Sequence, residues 1–237
     1  MIALDLADVT RTQASGAVRF VLEIPALTLR AGEAVALVGP SGAGKSTALD
    51  LAALALAPDR ASRIAVAGTD AAPLWRAGDR EALARLRARA IGYVTQTGAL
   101  LPFVSVGRNI ALTQHLSGRR DPALIARLAD RLGIATELDK PPSALSVGQR
   151  QRAAIARALA HRPALVVADE PTAALHPEMA DTVLTLLVEH CAGQGAALLV
   201  ATHDAERAAA HGLALRRVVP AAHEPRSTVE APVACPA

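Results

Sequence analysis

With 237 residues, 51% of them hydrophobic but only 2% aromatic, the chain can bury one large core or two small ones, built from many small aliphatic side chains. Its formal net charge of +3 comes from arginines spread along candidate helices. No basic stripe is interleaved with aromatics, which argues against a nucleic-acid partner.

In chain order, residues 2–9 and 18–29 alternate apolar and polar positions and predict two strands of an antiparallel lobe, with Thr10–Ala17 as a turn-rich loop between them. Ala34–Val38 is a short apolar run that reads as a buried strand, and Thr47–Leu56 reads as a helix. Between them, Gly39-Pro40-Ser41-Gly42-Ala43-Gly44-Lys45-Ser46-Thr47 fits G-x-x-x-x-G-K-[ST]. Strand, glycine-rich turn and helix form a phosphate cradle, because successive backbone N–H groups point inward and the helix N-terminus adds partial positive charge. In that setting Lys45 reaches β- and γ-phosphates and the Ser46 hydroxyl ligates Mg²⁺. The pattern therefore points to a nucleoside triphosphate.

Further on, Ile64–Gly68 predicts a strand, Asp79–Ala90 an arginine-rich helix, and Ile91–Thr95 a strand that runs into Gln96. Val106–Leu116 and Pro122–Leu132 read as helices, and Pro141-Pro142 closes that block. Ser146 caps a long helix to His161, broken at Pro163. Ala164–Ala168 is a wholly apolar strand ending in Asp169-Glu170, followed by a helix over Pro177–Cys191, a strand over Ala197–Ala201 and a helix over Asp204–His211. From Pro220 onward, four prolines and many small residues predict a loose tail over 220–237. The alternation predicts an α/β fold, a parallel core with helices on both faces, interrupted by a helical subdomain over about 97–161.

Ligands of open α/β sheets bind at the carboxyl ends of strands, so Asp169 should meet the phosphate loop there. Asp169 would hold Mg²⁺, and Glu170 would face the in-line water as general base. Ser146 and the backbone around Gly148 form an anion site at a helix N-terminus.

Leu145-Ser146-Val147-Gly148-Gln149, followed by Gln151-Arg152-Ala153-Ala154-Ile155-Ala156-Arg157-Ala158-Leu159 and upstream of Val166-Val167-Ala168-Asp169-Glu170-Pro171-Thr172, resembles the signature region of ATP-binding cassette (ABC) proteins. The resemblance covers the chain to about residue 215. It implies a P-loop NTPase, RecA-like core with an antiparallel β lobe and an inserted helical subdomain: core 1–96 and 162–219, helical part 97–161. Gln96 then matches the glutamine that senses Mg²⁺ and the γ-phosphate and hinges the helical subdomain, and His203 the histidine that contacts the γ-phosphate and positions Glu170. Lys45, Gln96, Glu170 and His203 become the catalytic set. Ser46, Gln96 and Asp169 become the metal set, and Ser146, Gly148 and Gln149 cover ATP held by another subunit. One phosphate loop and one signature per chain imply a head-to-tail dimer, homomeric or with a second ATPase.

Two positions depart from the family pattern. Thr12 stands where an aromatic residue stacks on adenine, which leaves Phe20 as substitute or the base loosely held. Along Ala173-Ala174-Leu175-His176, His176 stands where an Asp is usual.

No run approaches the ~20 apolar residues of a membrane span; the most apolar candidate, Ala48–Ala57, contains Asp50, and Asp5 and Asp8 interrupt any secretory signal. A membrane role must come through partners. The resemblance implies integral membrane permeases docking near Gln96, on Leu100-Leu101-Pro102-Phe103 and the helix from Val106, and a peripheral place on the cytoplasmic face of the inner membrane. Two cysteines, Cys191 and Cys235, give no disulfide framework and suit that compartment. Within the family the texture is similar to the lipoprotein-release and macrolide-export group. The alternative is a cell-division type that does mechanical work. A soluble DNA-repair or translation cassette would carry a coiled-coil insertion or a second cassette in the chain.

Overall fold

The computed structural model describes residues 1–15, 18–222 and 224–230. The chain begins with a long hairpin, β1 (Ile2–Ser15) and β2 (Val18–Arg30), then β3 (Ala34–Val38), helix α1 (Lys45–Ala52), and the small hairpin β4 (Arg63–Val66) and β5 (Thr69–Asp70). α2 (Ala72–Ala77) and α3 (Arg80–Ala90) lead to β6 (Ile91–Val94). The helices α4 (Val106–Ser117), α5 (Pro122–Arg131) and α6 (Val147–Leu159) follow, with two 3₁₀ turns between α5 and α6. β7 (Leu165–Asp169), α7 (Pro177–Gln194), β8 (Ala197–Thr202), α8 (Ala205–Ala210), β9 (Ala214–Pro220) and β10 (Arg226–Val229) complete it.

The strands form one sheet in the order β5-β4-β1-β2-β10-β9-β3-β8-β7-β6. The half from β9 to β6 is parallel, and the hairpin half is antiparallel. Strands β7 and β8 are buried along their whole length, as expected of strands covered on both faces. Their two-residue period divides the interior in two. Val35, Leu37, Leu165, Val167, Leu199 and Ala201 face α1 and the hairpin lobe, whereas Ala36, Val38, Val166, Ala168, Leu198 and Val200 face α4–α7. One set of strands thus anchors both the phosphate helix and the helical layer.

Helix ends follow local chemistry. Asp79, Ser105, Asp121, Ser146 and Asp204 each accept a hydrogen bond from a first-turn amide of the helix they cap. Ser146 and Gln149 form a reciprocal capping box. α1 ends at Ala52, short of Leu56, where Leu54 takes a positive φ of 54°.

Two expectations need correction. The loop expected at Thr10–Ala17 is strand as far as Ser15, paired residue by residue with β2 from Thr10↔Glu23 to Ser15↔Val18; Gly16 and Ala17 lie outside the described residues. The run Thr-Arg-Thr-Gln lacks apolar alternation because its pairing, not burial, holds it extended. The tail expected over 220–237 is not loose throughout. β10 lies between β2 and β9, with Ser227 0% and Val229 1% exposed. Pro225 fits there because its carbonyl accepts the Val21 amide. Residues 231–237, including Cys235, lie outside the described residues. α2 and β9 went unpredicted; the short turn-like run Ala-Pro-Leu-Trp and the arginines of β9 mask them.

Where α6 gives way to β7, His161 is 1% exposed, with Nε2 donating to the Ile91 carbonyl at 3.1 Å and Nδ1 without a partner. Burial, and secondarily the Arg119 charge, pushes its pKa down to about 4, against the opposing Ile91 hydrogen bond. Since the unfolded imidazole titrates near 6.5, the unfolded chain binds the extra proton between about pH 6.5 and 4, and stability falls as pH drops through that window. We expect His161 to cost about 2 kcal/mol of stability by pH 5, read as a urea-midpoint loss between pH 7 and 5 that a His161→Gln variant does not show.

Candidate functional site

The turn between β3 and α1 wraps around a cavity of about 450 Å³ at the carboxyl end of the parallel strands. Gly39 begins the turn where no side chain fits: a Cβ there would lie 2.6 Å from the Val218 carbonyl oxygen. Gly44, at φ 94°, turns the chain into α1. Lys45 is only 8% exposed, and its ammonium donates to the carbonyls of Gly39 (2.8 Å) and Pro40 (3.0 Å). Its charge is thereby held over the loop.

The cavity is lined by Ser41, Gly42, Gly44, Lys45, Ser46 and Thr47 from the turn, by Gln96 beyond β6, and by Asp169 and Glu170 at the end of β7. Four distant stretches of sequence therefore meet, since Phe20 of the lobe also lines it. Asp169 is 7% exposed. Burial lifts its carboxyl above the usual carboxylate range, helped by the charges of Glu170 and Asp50, while the Ser46 hydroxyl and the Lys45 ammonium pull it down. Buried carboxylates crowded beside a hydroxyl make an oxygen donor set that suits a hard divalent cation. Asp50 in turn accepts from the Tyr93 hydroxyl at 2.8 Å, and burial together with that contact raises the Tyr93 pKa.

Glu170 occupies a left-handed conformation, φ 45°, with its amide held by the Ala201 carbonyl. For a non-glycine residue that backbone costs roughly 1–3 kcal/mol, and such strain clusters at functional positions. Both of its carboxylate oxygens lie 3.0 Å from His203 Nδ1, so the ring carries its proton on Nδ1 and presents Nε2 outward. The His203 side chain is 72% exposed against 14% for Glu170.

Ser146, Gly148 and Gln149 are not among the residues lining this cavity. They sit at the start of α6, where a Cβ on Gly148 would lie 3.3 Å from the Leu175 side chain. Next to Leu175, His176 is exposed and begins α7 without a side-chain capping bond. Thr12 points its amide to Asp59 at 2.6 Å and does not line the cavity. Phe20 does, with its ring 3.1 Å from where a Gly44 Cβ would sit. Sequence reasoning missed Gln13 and Ala14, which complete that wall; the register that sets Gln13 directly opposite Phe20 is not legible without the pairing. A second, apolar groove of about 490 Å³ runs along α4 and is lined by Leu101, Val104, Ala111, Leu112 and Ile125, with Phe103 nearby and 79% exposed.

A family profile described as "ABC transporter" matches residues 22–173. The chain is 42% identical over 210 residues to the lipoprotein-releasing system ATP-binding protein LolD 1 of Rhodospirillum rubrum, covering 87% of this chain and 91% of that one. It is 46% identical over 186 residues to the LolD protein of Ruegeria sp., covering 77% and 80%. Its fold is similar to the dimeric post-hydrolysis state of the ATP-binding cassette MJ0796 bound to ADP and Pi, with a TM-score of 0.79, 27% identity, and 96% and 97% of the two chains covered. CbiO1 from Clostridium perfringens, part of the transporter complex cbiONQ, gives 0.74 at 25% identity, covering 97% of this chain and 87% of that one.

Proposed function

The chain belongs to the ABC transporter ATPases as their ATP-hydrolysing subunit, a partner of membrane permeases, and from that membership we propose a role for each residue of the cavity. The observation that carries the reading is the convergence of the phosphate loop, Gln96, Asp169 and Glu170 on one cavity, with His203 bonded to Glu170.

In this reading the backbone N–H groups of Ser41–Thr47 and the Lys45 ammonium bind the β- and γ-phosphates. Ser46, Asp169 and Gln96 would hold Mg²⁺, which would neutralise phosphate charge. Glu170 accepts a proton from the attacking water, and His203 holds that carboxylate in place through Nδ1 while Nε2 meets the γ-phosphate. Phe20 provides the shelf for the base. Phe20→Ala should weaken ATP binding by about 1 kcal/mol, roughly fivefold, the worth of one aromatic stack, read by titration with the chain's melting temperature as control.

The signature Ser146, Gly148 and Gln149 lie away from their own cavity, so they serve the ATP of a second copy, and two chains close head to tail around two ATP molecules. The working unit takes in the core 1–96 and 162–219, the helical part 97–161, and β10. A permease segment fits the apolar groove along α4. No helix among the described residues is long and apolar enough to cross a membrane, so attachment to the cytoplasmic face of the inner membrane runs through that permease. The LolD relatives carry the name of a lipoprotein-releasing system, and we extend that cargo class to this chain.

The test is assembly. Glu170→Gln should run as a monomer alone and as a dimer with ATP–Mg²⁺ on size-exclusion chromatography; a nucleotide-independent monomer overturns the sandwich.

A further inference from the structure

Between β6 and α4 the chain crosses from the sheet to the helices, and its backbone there is held from the helical side. Arg157, half-buried on α6, donates from Nη1 to the Ala99 carbonyl at 2.8 Å and from Nη2 to the Gly98 carbonyl at 3.0 Å. One planar guanidinium thus spans two successive carbonyls, a fork that an ammonium does not reproduce. The contact is close: a Cβ on Gly98 would lie 3.4 Å from the Arg150 carbonyl and 3.6 Å from the Ala154 Cβ, both on α6. Gly98 and Ala99 sit at positive φ, 73° and 42°, so the loop adopts the shape in which both carbonyls face the helix.

The far end is fastened by Asn109 of α4, which is fully buried. Its Oδ1 accepts from the Leu101 amide at 2.7 Å, and its Nδ2 donates to the carbonyls of Leu101, Val104 and Ser105 at 3.0–3.1 Å. α4 and α6 are themselves tied by Thr113, whose hydroxyl donates to the Arg157 carbonyl at 2.8 Å. On the other side, the Gly98 amide donates a hydrogen bond to the carbonyl of Thr95, just past the end of β6, at 3.0 Å.

We propose that Arg157 is the positioning residue that fastens residues 98–105 to the signature helix, so that this segment moves as part of the helical unit. The inference rests on the roles given above to Gln96 and Ser146–Gln149. Leu101 and Val104 also line the apolar groove, so a push received there reaches Gln96 through a stiff segment.

The experiment compares Arg157→Met and Arg157→Lys by hydrogen–deuterium exchange in the full chain. Loss of hydrogen bonds to a charged donor predicts that the Gly98 amide exchanges about tenfold or more faster in Arg157→Met, while the Leu101 amide, held by Asn109, changes less than about twofold. Arg157→Lys should fall between wild type and Arg157→Met. In the Glu170→Gln background, ATP–Mg²⁺ should protect amides 146–152, and adding Arg157→Met should abolish that protection with ATP affinity within about threefold. Unchanged Gly98 exchange, or signature protection that survives Arg157→Met, overturns the proposal. A Glu170→Gln parent that binds no ATP counts against the site assignment, while the nucleotide-free Gly98 measurement still decides the tether.

Discussion

Lys45→Ala should abolish high-affinity nucleotide binding, lowering ATP affinity by at least about 3 kcal/mol, or roughly 100-fold. Lys45 is nearly buried, and its ammonium donates to two loop carbonyls, Gly39 and Pro40. A cation in that setting is stabilised by carbonyl dipoles but not neutralised, which leaves most of its attraction for an arriving phosphate. Alanine removes the charge and also leaves both carbonyls without their donor, so the loop loses shape as well as affinity. Titration with ATP–Mg²⁺ checks it, with the melting temperature as control for folding; an affinity within about fivefold of wild type would remove Lys45 from the phosphate site.

The second large effect is on turnover. Glu170→Gln keeps the size and the strained φ of 45° but replaces a proton acceptor by an amide. General bases contribute about 10²–10⁴-fold, so kcat should fall about 10³-fold while ATP binding changes little. His203 sharpens the expectation, because its Nδ1 lies 3.0 Å from both carboxylate oxygens and donates to them. With Gln, one of those acceptors becomes an NH₂ group, and the ring must turn or lose half of its contact. In the proposed sandwich, a fall in turnover with retained binding would make the variant a trap for the closed dimer. Loss of binding in parallel with turnover would instead give Glu170 a structural role.

The site was more legible in the sequence than the sheet around it. Phosphate loops and strand-end carboxylates are local: Gly39–Thr47 and Ala164–Glu170 each specify their geometry within a few residues, so their meeting at the carboxyl edge follows from topology alone. Capping was also local, and Ser146 begins its helix where expected. What stayed hidden depends on pairing across the chain. Phe20 reaches the cavity through its register with Gln13. Ser227 is buried in β10, a strand whose place between β2 and β9 comes from long-range pairing, and nothing in Arg-Ser-Thr-Val announces a core position. Arg157 looked like one more arginine of an amphipathic helix until its two carbonyl acceptors came into view.

The position of β10 has a consequence for how the protein is made. In the ladder order it is the strand that joins the hairpin lobe to the parallel sheet, with β2 on one side and β9 on the other. During synthesis the phosphate loop, its carboxylates and the signature helix all emerge before residue 226. Until then the edges of β2 and β9 stay open, and Phe20 belongs to a lobe not yet zipped to the phosphate loop. On the proposed reading, nucleotide would act as a late folding ligand, meeting the Phe20 wall of the cavity only after β10, the last strand among the described residues, has been threaded in. A nascent chain stalled before Arg226 carries every motif and still lacks the seam that aligns them.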